Sequence, residues 1–220
     1  DPRLRAVGGR PPAPSTSPST IAGRVTSAES GAPIRRAEIV AINRAGGHRT
    51  VFTDDEGRFE LPALESGTWQ IAASKTGYST QQYGQRRPFQ PGQPLAVPPG
   101  ARVTADFVLL RASAISGRIY DEYGEPLAAA RVDVLRARLV QKKRYLQRIG
   151  EGDLTDDTGS FRIHSLPPGE YFVTASLRVA PVESVVQTTY APTYYPGTGN
   201  FAEAQRVLLE PGSDVVVDFP

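Results

Sequence analysis

TDDEGRFELPALESGTWQIAAS, Thr53 to Ser74, returns 102 positions downstream as TDDTGSFRIHSLPPGEYFVTAS, Thr155 to Ser176. Working outward, IAGRV at Ile21–Val25 recurs as ISGRI at Ile115–Ile119, and SGAPIRRAEI at Ser30–Ile39 as YGEPLAAARV at Tyr123–Val132. PPGARVTADF at Pro98–Phe107 recurs as EPGSDVVVDF at Glu210–Phe219. The order is the same in both halves. The offset is 94 from Ile21 to Ile115, 93 from Ser30 to Tyr123, 102 from Thr53 to Thr155 and 112 from Pro98 to Glu210. The two jumps place extra residues in the second copy, one set between Arg136 and Asp153 and another between Leu177 and Thr189. Insertions settle in loops and hairpin tips, so the matched blocks are the framework of a duplicated domain.

Within each block apolar and polar residues alternate with period two, the pattern of a half-buried strand. Trp69, Ile71 and Ala73 alternate in the first copy, as do Tyr171, Val173 and Ala175 in the second. Val103, Ala105, Phe107 and Leu109 repeat the pattern, and so do Val215, Val217 and Phe219. Turn signals divide the runs at Gly31-Ala32-Pro33, Asp55-Glu56-Gly57, Gly124-Glu125-Pro126 and Asp157-Thr158-Gly159. Phe59, Phe161, Leu64 and Leu166 then point inward, with Trp69 and Tyr171 as core anchors. No amphipathic helix is visible. The pattern predicts an all-β chain of two tandem antiparallel β-sandwiches, with about seven strands in each.

Composition agrees. The chain has 220 residues with 21 Gly and 20 Pro, scattered as punctuation between short apolar runs. It has no Cys, which removes disulfides and thiol chemistry. No apolar run approaches the roughly 18–20 residues needed to span a bilayer. No signal peptide is visible, and the polar, Pro-rich opening reads as that of a mature or trimmed chain. A net charge of +2 is too small to argue for nucleic acid. Residues 1–18 read as a flexible Pro/Ser/Gly-rich linker, 19–111 as the first sandwich, and 112–220 as the second, with a basic hairpin insertion at 136–153. Leu110–Ser113 joins the copies with little slack, so a restricted hinge is expected.

The ordered blocks resemble the carboxypeptidase regulatory-like domain. They read I-x-G-R-[VI], G-x-P-[IL], T-D-D-x-G-x-F-x-[LI] and G-x-[WY]-x-[IV]-x-A-S, and the likeness runs from about Ser19 to Leu110 and from about Ser113 to Phe219. The resemblance implies a transthyretin-like (prealbumin-like) sandwich, of the immunoglobulin-like kind. It also implies an accessory module of a bacterial secreted, surface or outer-membrane protein, with no catalytic residue to carry over. Fold does not fix function.

Chemistry is sparse. His48 and His164 fall at non-equivalent points of the repeat, and no motif gathers the three or four ligands a zinc site needs. No G-x-S-x-G elbow occurs. Calcium wants roughly six to eight oxygens from alternating ligands, whereas Asp54-Asp55-Glu56 and Asp156-Asp157 are adjacent acids inside turns. An internal isopeptide bond needs a Lys in a core strand, and the lysines are only Lys75, Lys142 and Lys143. No catalytic residue, metal site or cofactor is therefore assigned.

Two stretches remain as binding candidates. The first is aromatic: Tyr78 and Tyr83, with Arg86 and Arg87, in the first copy, and Tyr190, Tyr194 and Tyr195 in the second. Such rings can stack on a sugar or peptide, or can cap the sandwich. The second is the basic insertion with Lys142, Lys143 and Arg144 near its tip, which can meet an anionic polymer or simply shield a sheet edge with charge. The expected function is a non-enzymatic extracytoplasmic structural or binding module of a larger bacterial envelope protein, periplasmic or at the cell surface. A glycan or another envelope protein would be its partner, and the isolated fragment would be a monomer. The alternatives are an accessory domain of a metallopeptidase or outer-membrane transporter, and a carbohydrate-binding module using the Tyr-rich segments.

Overall fold

The computed structural model describes residues 17–140, 143–177 and 191–220, with the side chains at positions 140, 143 and 144 left out. Most of the expected linker, together with Lys142 and Tyr190, lies outside the described residues.

The first sandwich is built from β1 (Ser19–Ser27), β2 (Glu38–Asn43), β3 (His48–Phe52), β4 (Arg58–Leu64), β5 (Gly67–Ser74), β6 (Gln81–Gln82), β7 (Leu95–Val97), β8 (Arg102–Thr104) and β9 (Phe107–Leu109). One sheet runs β4-β1-β8, with β9 also on β1; the other runs β3-β2-β5-β6, with β7 also on β5. The second sandwich repeats this with β10 (Ser113–Arg118), β11 (Arg131–Val140), β12 (Lys143–Leu154), β13 (Ser160–Leu166), β14 (Gly169–Ser176), β15 (Thr193–Tyr194), β16 (Val207–Leu209) and β17 (Asp214–Val216). Its sheets are β13-β10-β17 and β12-β11-β14-β15, with β16 on β14. The chain is all-β, and among the described residues the one helical element is a 3₁₀ turn at Phe201–Glu203.

The strand count exceeds seven because the return segments are cut into pieces of two or three residues. The cut between β8 and β9 has a steric cause. A Cβ on Gly23 would lie 1.9 Å from the Ala105 carbonyl oxygen, and a Cβ on Gly117 would lie 1.9 Å from that of Val217. Only glycine lets the last segment cross the first strand this closely. The crossing is then pinned: Asp106 accepts a hydrogen bond from the Arg24 N–H at 2.8 Å, and Asp218 accepts one from the Arg118 N–H at 2.8 Å. Here the antiparallel pattern has its exception. β8 and β9 run parallel to β1, and β17 runs parallel to β10.

Each sandwich closes on its own apolar interior. Ile21, Phe59, Leu64, Trp69 and Phe107 fill the first, and Ile115, Phe161, Leu166, Tyr171 and Phe219 the second. The anchors keep their polar ends satisfied. The Trp69 indole N–H donates to the Glu65 carbonyl at 3.0 Å, and the Tyr171 hydroxyl donates to the Pro167 carbonyl. Burial pushes the Tyr171 phenol upward, against the opposing charge of Arg136. The Thr of each T-D-D block is buried and bridges two backbone groups. Thr53 Oγ1 donates to the Ile34 carbonyl at 2.6 Å and accepts from the Ala37 N–H at 2.8 Å. Thr155 Oγ1 does the same between Leu127, at 2.6 Å, and Ala130, at 2.9 Å.

Candidate functional site

The T-D-D turns are held by their first aspartate. Asp54 Oδ1 accepts N–H bonds from Glu56 at 3.0 Å and Arg58 at 2.7 Å. Asp156 Oδ1 accepts N–H bonds from Thr158 and Ser160, each at 2.9 Å, and the Thr158 hydroxyl at 2.7 Å. The Thr158 hydroxyl, followed by the Ser160 N–H, holds the Asp156 carboxyl below its usual range. These acids organise a turn. Among the described residues no three His, Asp or Glu side chains converge as a metal site would require. His48 and His164 are both exposed, on different sandwiches.

The aromatic segments are structurally equivalent. The Tyr83 N–H donates to Ile71 at 2.8 Å, and the Tyr195 N–H donates to Val173 at 3.0 Å. Both rings turn inward. Tyr83 meets Phe107 edge-on at 6.4 Å, and Tyr195 meets Phe219 edge-on at 5.8 Å. Tyr78 is half-buried against the first core and bridges to Arg111. Tyr194 joins an aromatic nest, its ring 5.6 Å from Phe201, which in turn lies 4.8 Å from Phe172. Arg86 and Arg87 are exposed on the loop that leads to Phe89, beside a shallow depression of about 60 Å³. Among the described residues, the aromatic candidates are spread along two sandwiches and are not gathered into one aromatic platform.

Sequence reasoning missed the residue that this loop exists to place. Phe89 leaves the first sandwich and packs on the core of the second, with its ring 6.0 Å from Tyr171 at 74°. The Arg136 guanidinium lies 4.1 Å above the same ring. A Cβ on Gly169 would already lie 3.3 Å from Phe89, so glycine leaves room for the ring. Backbone bonds brace the connection between the copies, from Ser79 N–H to Leu110 at 2.8 Å and from Ala112 N–H to Gly77 at 3.0 Å.

The basic insertion forms a two-stranded extension. β11 and β12 pair from Arg131↔Leu154 to Val140↔Lys143, with a shift near Val134. At its base Arg148 meets the buried Asp133 carboxylate at 2.9 Å. The backbone of Lys143 and Arg144 begins β12, opposite Val140 and Leu139. Beyond the pairing of Leu135 with Phe172, β11 parts from β14 and borders a cleft of about 370 Å³.

Comparison with known proteins follows the duplication. The carboxypeptidase regulatory-like domain family matches residues 20–110 and again residues 114–219. No curated protein sequence matches the chain. Among solved structures, the chain is similar to the minor pilin GBS52 of the gram-positive pathogen Streptococcus agalactiae. The identity is 12% and the TM-score 0.40, over 91% of this chain and 94% of that one. The shaft pilin SpaA of Lactobacillus rhamnosus GG is 11% identical with a TM-score of 0.35, over 94% of this chain and 98% of that one. The Bacillus anthracis TIE protein is 13% identical with a TM-score of 0.37, over 92% of this chain. The chain spans 34% of the length of the TIE protein.

Proposed function

The chain belongs, through both of its halves, to the carboxypeptidase regulatory-like domain family, and from that premise we propose that it is a non-enzymatic spacer module of a bacterial extracytoplasmic protein. It sets a fixed distance between whatever flanks it and presents its surfaces to another envelope protein. The observation that carries the reading is the seat of Phe89 against Tyr171 and Arg136. An aromatic ring transferred from one domain onto the core of the next removes apolar surface from water and couples two bodies that a loose linker would leave independent. The first aspartate of each T-D-D turn is engaged in holding backbone, which supports a structural role for these turns.

The absence of Cys makes the test direct. Thr50→Cys and Glu151→Cys, on exposed positions of the two sandwiches, take nitroxide labels without background thiols. A spacer gives one narrow distance distribution by double electron–electron resonance. A broad distribution in the unaltered junction would sink the proposal.

A further inference from the structure

Both sandwiches carry a cleft at the same place, and the second is the more heavily charged. In the first, Asn43, Arg44, Thr68, Gln70 and Pro94 border it, with Arg44 its one charged side chain. In the second, the corresponding positions are Arg136, Glu170, Phe172 and Arg206, joined by Arg138 and Leu139. The correspondence follows from register: Asn43 faces Trp69, the counterpart of Tyr171, and Leu135 faces Phe172 just before Arg136.

The cleft opens where β11 leaves β14: their pairing ends at Leu135 and Phe172, and β11 runs on alone beyond it. In the first sandwich β2 stays paired with β5 to its last residue, Asn43, so it leaves no open edge at the cleft. In the second, β11 runs on to Val140, zipped to β12 on one side only. Among the described residues, no backbone hydrogen bond reaches the other edge of residues 136–140. An unpaired edge of this kind is a template for one more strand.

Its two faces differ in chemistry. Arg136 and Arg138 lie on the face that receives Phe89. Ala137 and Leu139 lie on the face of Leu135 and its partner Phe172, and Leu139 is 74% exposed. No acid occurs from Leu135 to Gly150, and Glu170 across the cleft is already paired with Arg206 at 3.1 Å. Phe89 fixes the Arg136 guanidinium in position, with its donors preset in a planar fork.

We propose that this cleft takes an extended peptide whose side chains alternate acidic and apolar, added as a strand to the open edge of β11. Successive carboxylates on one face of a strand are about 6.6 Å apart, the spacing of Arg136 and Arg138 along β11. The intervening apolar side chains fall on Leu139 and Phe172. Backbone pairing supplies affinity, and the alternation supplies selectivity. The site goes beyond the spacer reading and does not depend on how rigid the junction is.

The test uses the full chain and a blocked, fluorescein-labelled octapeptide alternating Val and Glu. Fluorescence anisotropy reads binding, and hydrogen exchange reads the amides of residues 136–140. The expected result is saturable binding with slowed exchange at those amides. Arg138→Glu, at an exposed position, weakens binding by about tenfold or more. Arg44→Glu, in the cleft of the first sandwich, leaves it unchanged. The same residues arranged as a Val block followed by a Glu block bind about tenfold more weakly, because they match neither face. Equal binding by the block peptide, or by polyglutamate without amide protection, reduces the cleft to a patch of positive charge and overturns the proposal. No saturable binding of the alternating peptide overturns it outright.

Discussion

Phe89 and Tyr171 belong to different sandwiches and meet edge to face, with ring centroids 6.0 Å apart. The contact has an internal control. Phe201 stands six residues after Tyr195, as Phe89 stands six residues after Tyr83. Yet Phe201 folds back onto Phe172 and Tyr194 of its own domain. The corresponding positions in the first copy are Gln70 and Gln82, which offer no aromatic nest, and Phe89 crosses to its neighbour instead.

Phe89→Ala removes an aromatic pair and a cation–π contact, each worth about 1 kcal/mol. Both sandwiches stay folded by circular dichroism, and the interdomain distance distribution broadens. Phe89→Tyr keeps it narrow.

Gly117→Ala places a methyl 1.9 Å from a backbone oxygen that cannot move without opening the β10–β17 pairing. A loss of about 3 kcal/mol or more in chemical denaturation is expected. Gly31→Ala is the comparison. Gly31 has φ +67 with nothing near its Cβ, so only backbone strain of about 1 kcal/mol applies.

Thr155→Val keeps the shape and removes the oxygen between the Leu127 carbonyl and the Ala130 N–H. A buried donor is left unmatched, at a cost of about 1–3 kcal/mol in urea unfolding. Thr53→Val has the same effect in the first sandwich.

Asp156 has a depressed pKa in the folded chain, so its contribution is present above the unfolded value of about 4 and is lost as pH falls through the folded value. Carbonyl NMR titration follows it directly. Thr158→Val removes the largest cause and moves the Asp156 midpoint upward. An unmoved midpoint would contradict the assigned hydrogen bond.

The framework was legible because burial imposes a period on a strand. Phe59, Phe161, Trp69 and Tyr171 are buried as the alternation required. The roles of Gly23 and Asp106 were not legible, although both lie inside quoted blocks. Gly23 makes room for Ala105 and Asp106 holds the Arg24 N–H, each 82 positions away, through a crossing that only the folded chain brings about. The Tyr-rich segments were visible as candidates, but whether Tyr83 turns outward or onto Phe107 depends on packing that the local pattern does not encode. Phe89 could have been found by setting its loop against that of Phe201 and asking why one copy has Gln where the other has Phe and Tyr. The open edge of β11 needed the structure, since it arises where β11 parts from β14 beyond Leu135.

The parallel pairing of first and last strands has a mechanical consequence. In each sandwich the chain enters along β1 or β10 and leaves along a neighbour pointing the same way. Tension between the two ends slides these neighbours past each other lengthwise, so their hydrogen bonds resist together and are not peeled one at a time. The Asp106 and Asp218 pins lie across that sliding direction. Under load, each sandwich behaves as a shear clamp.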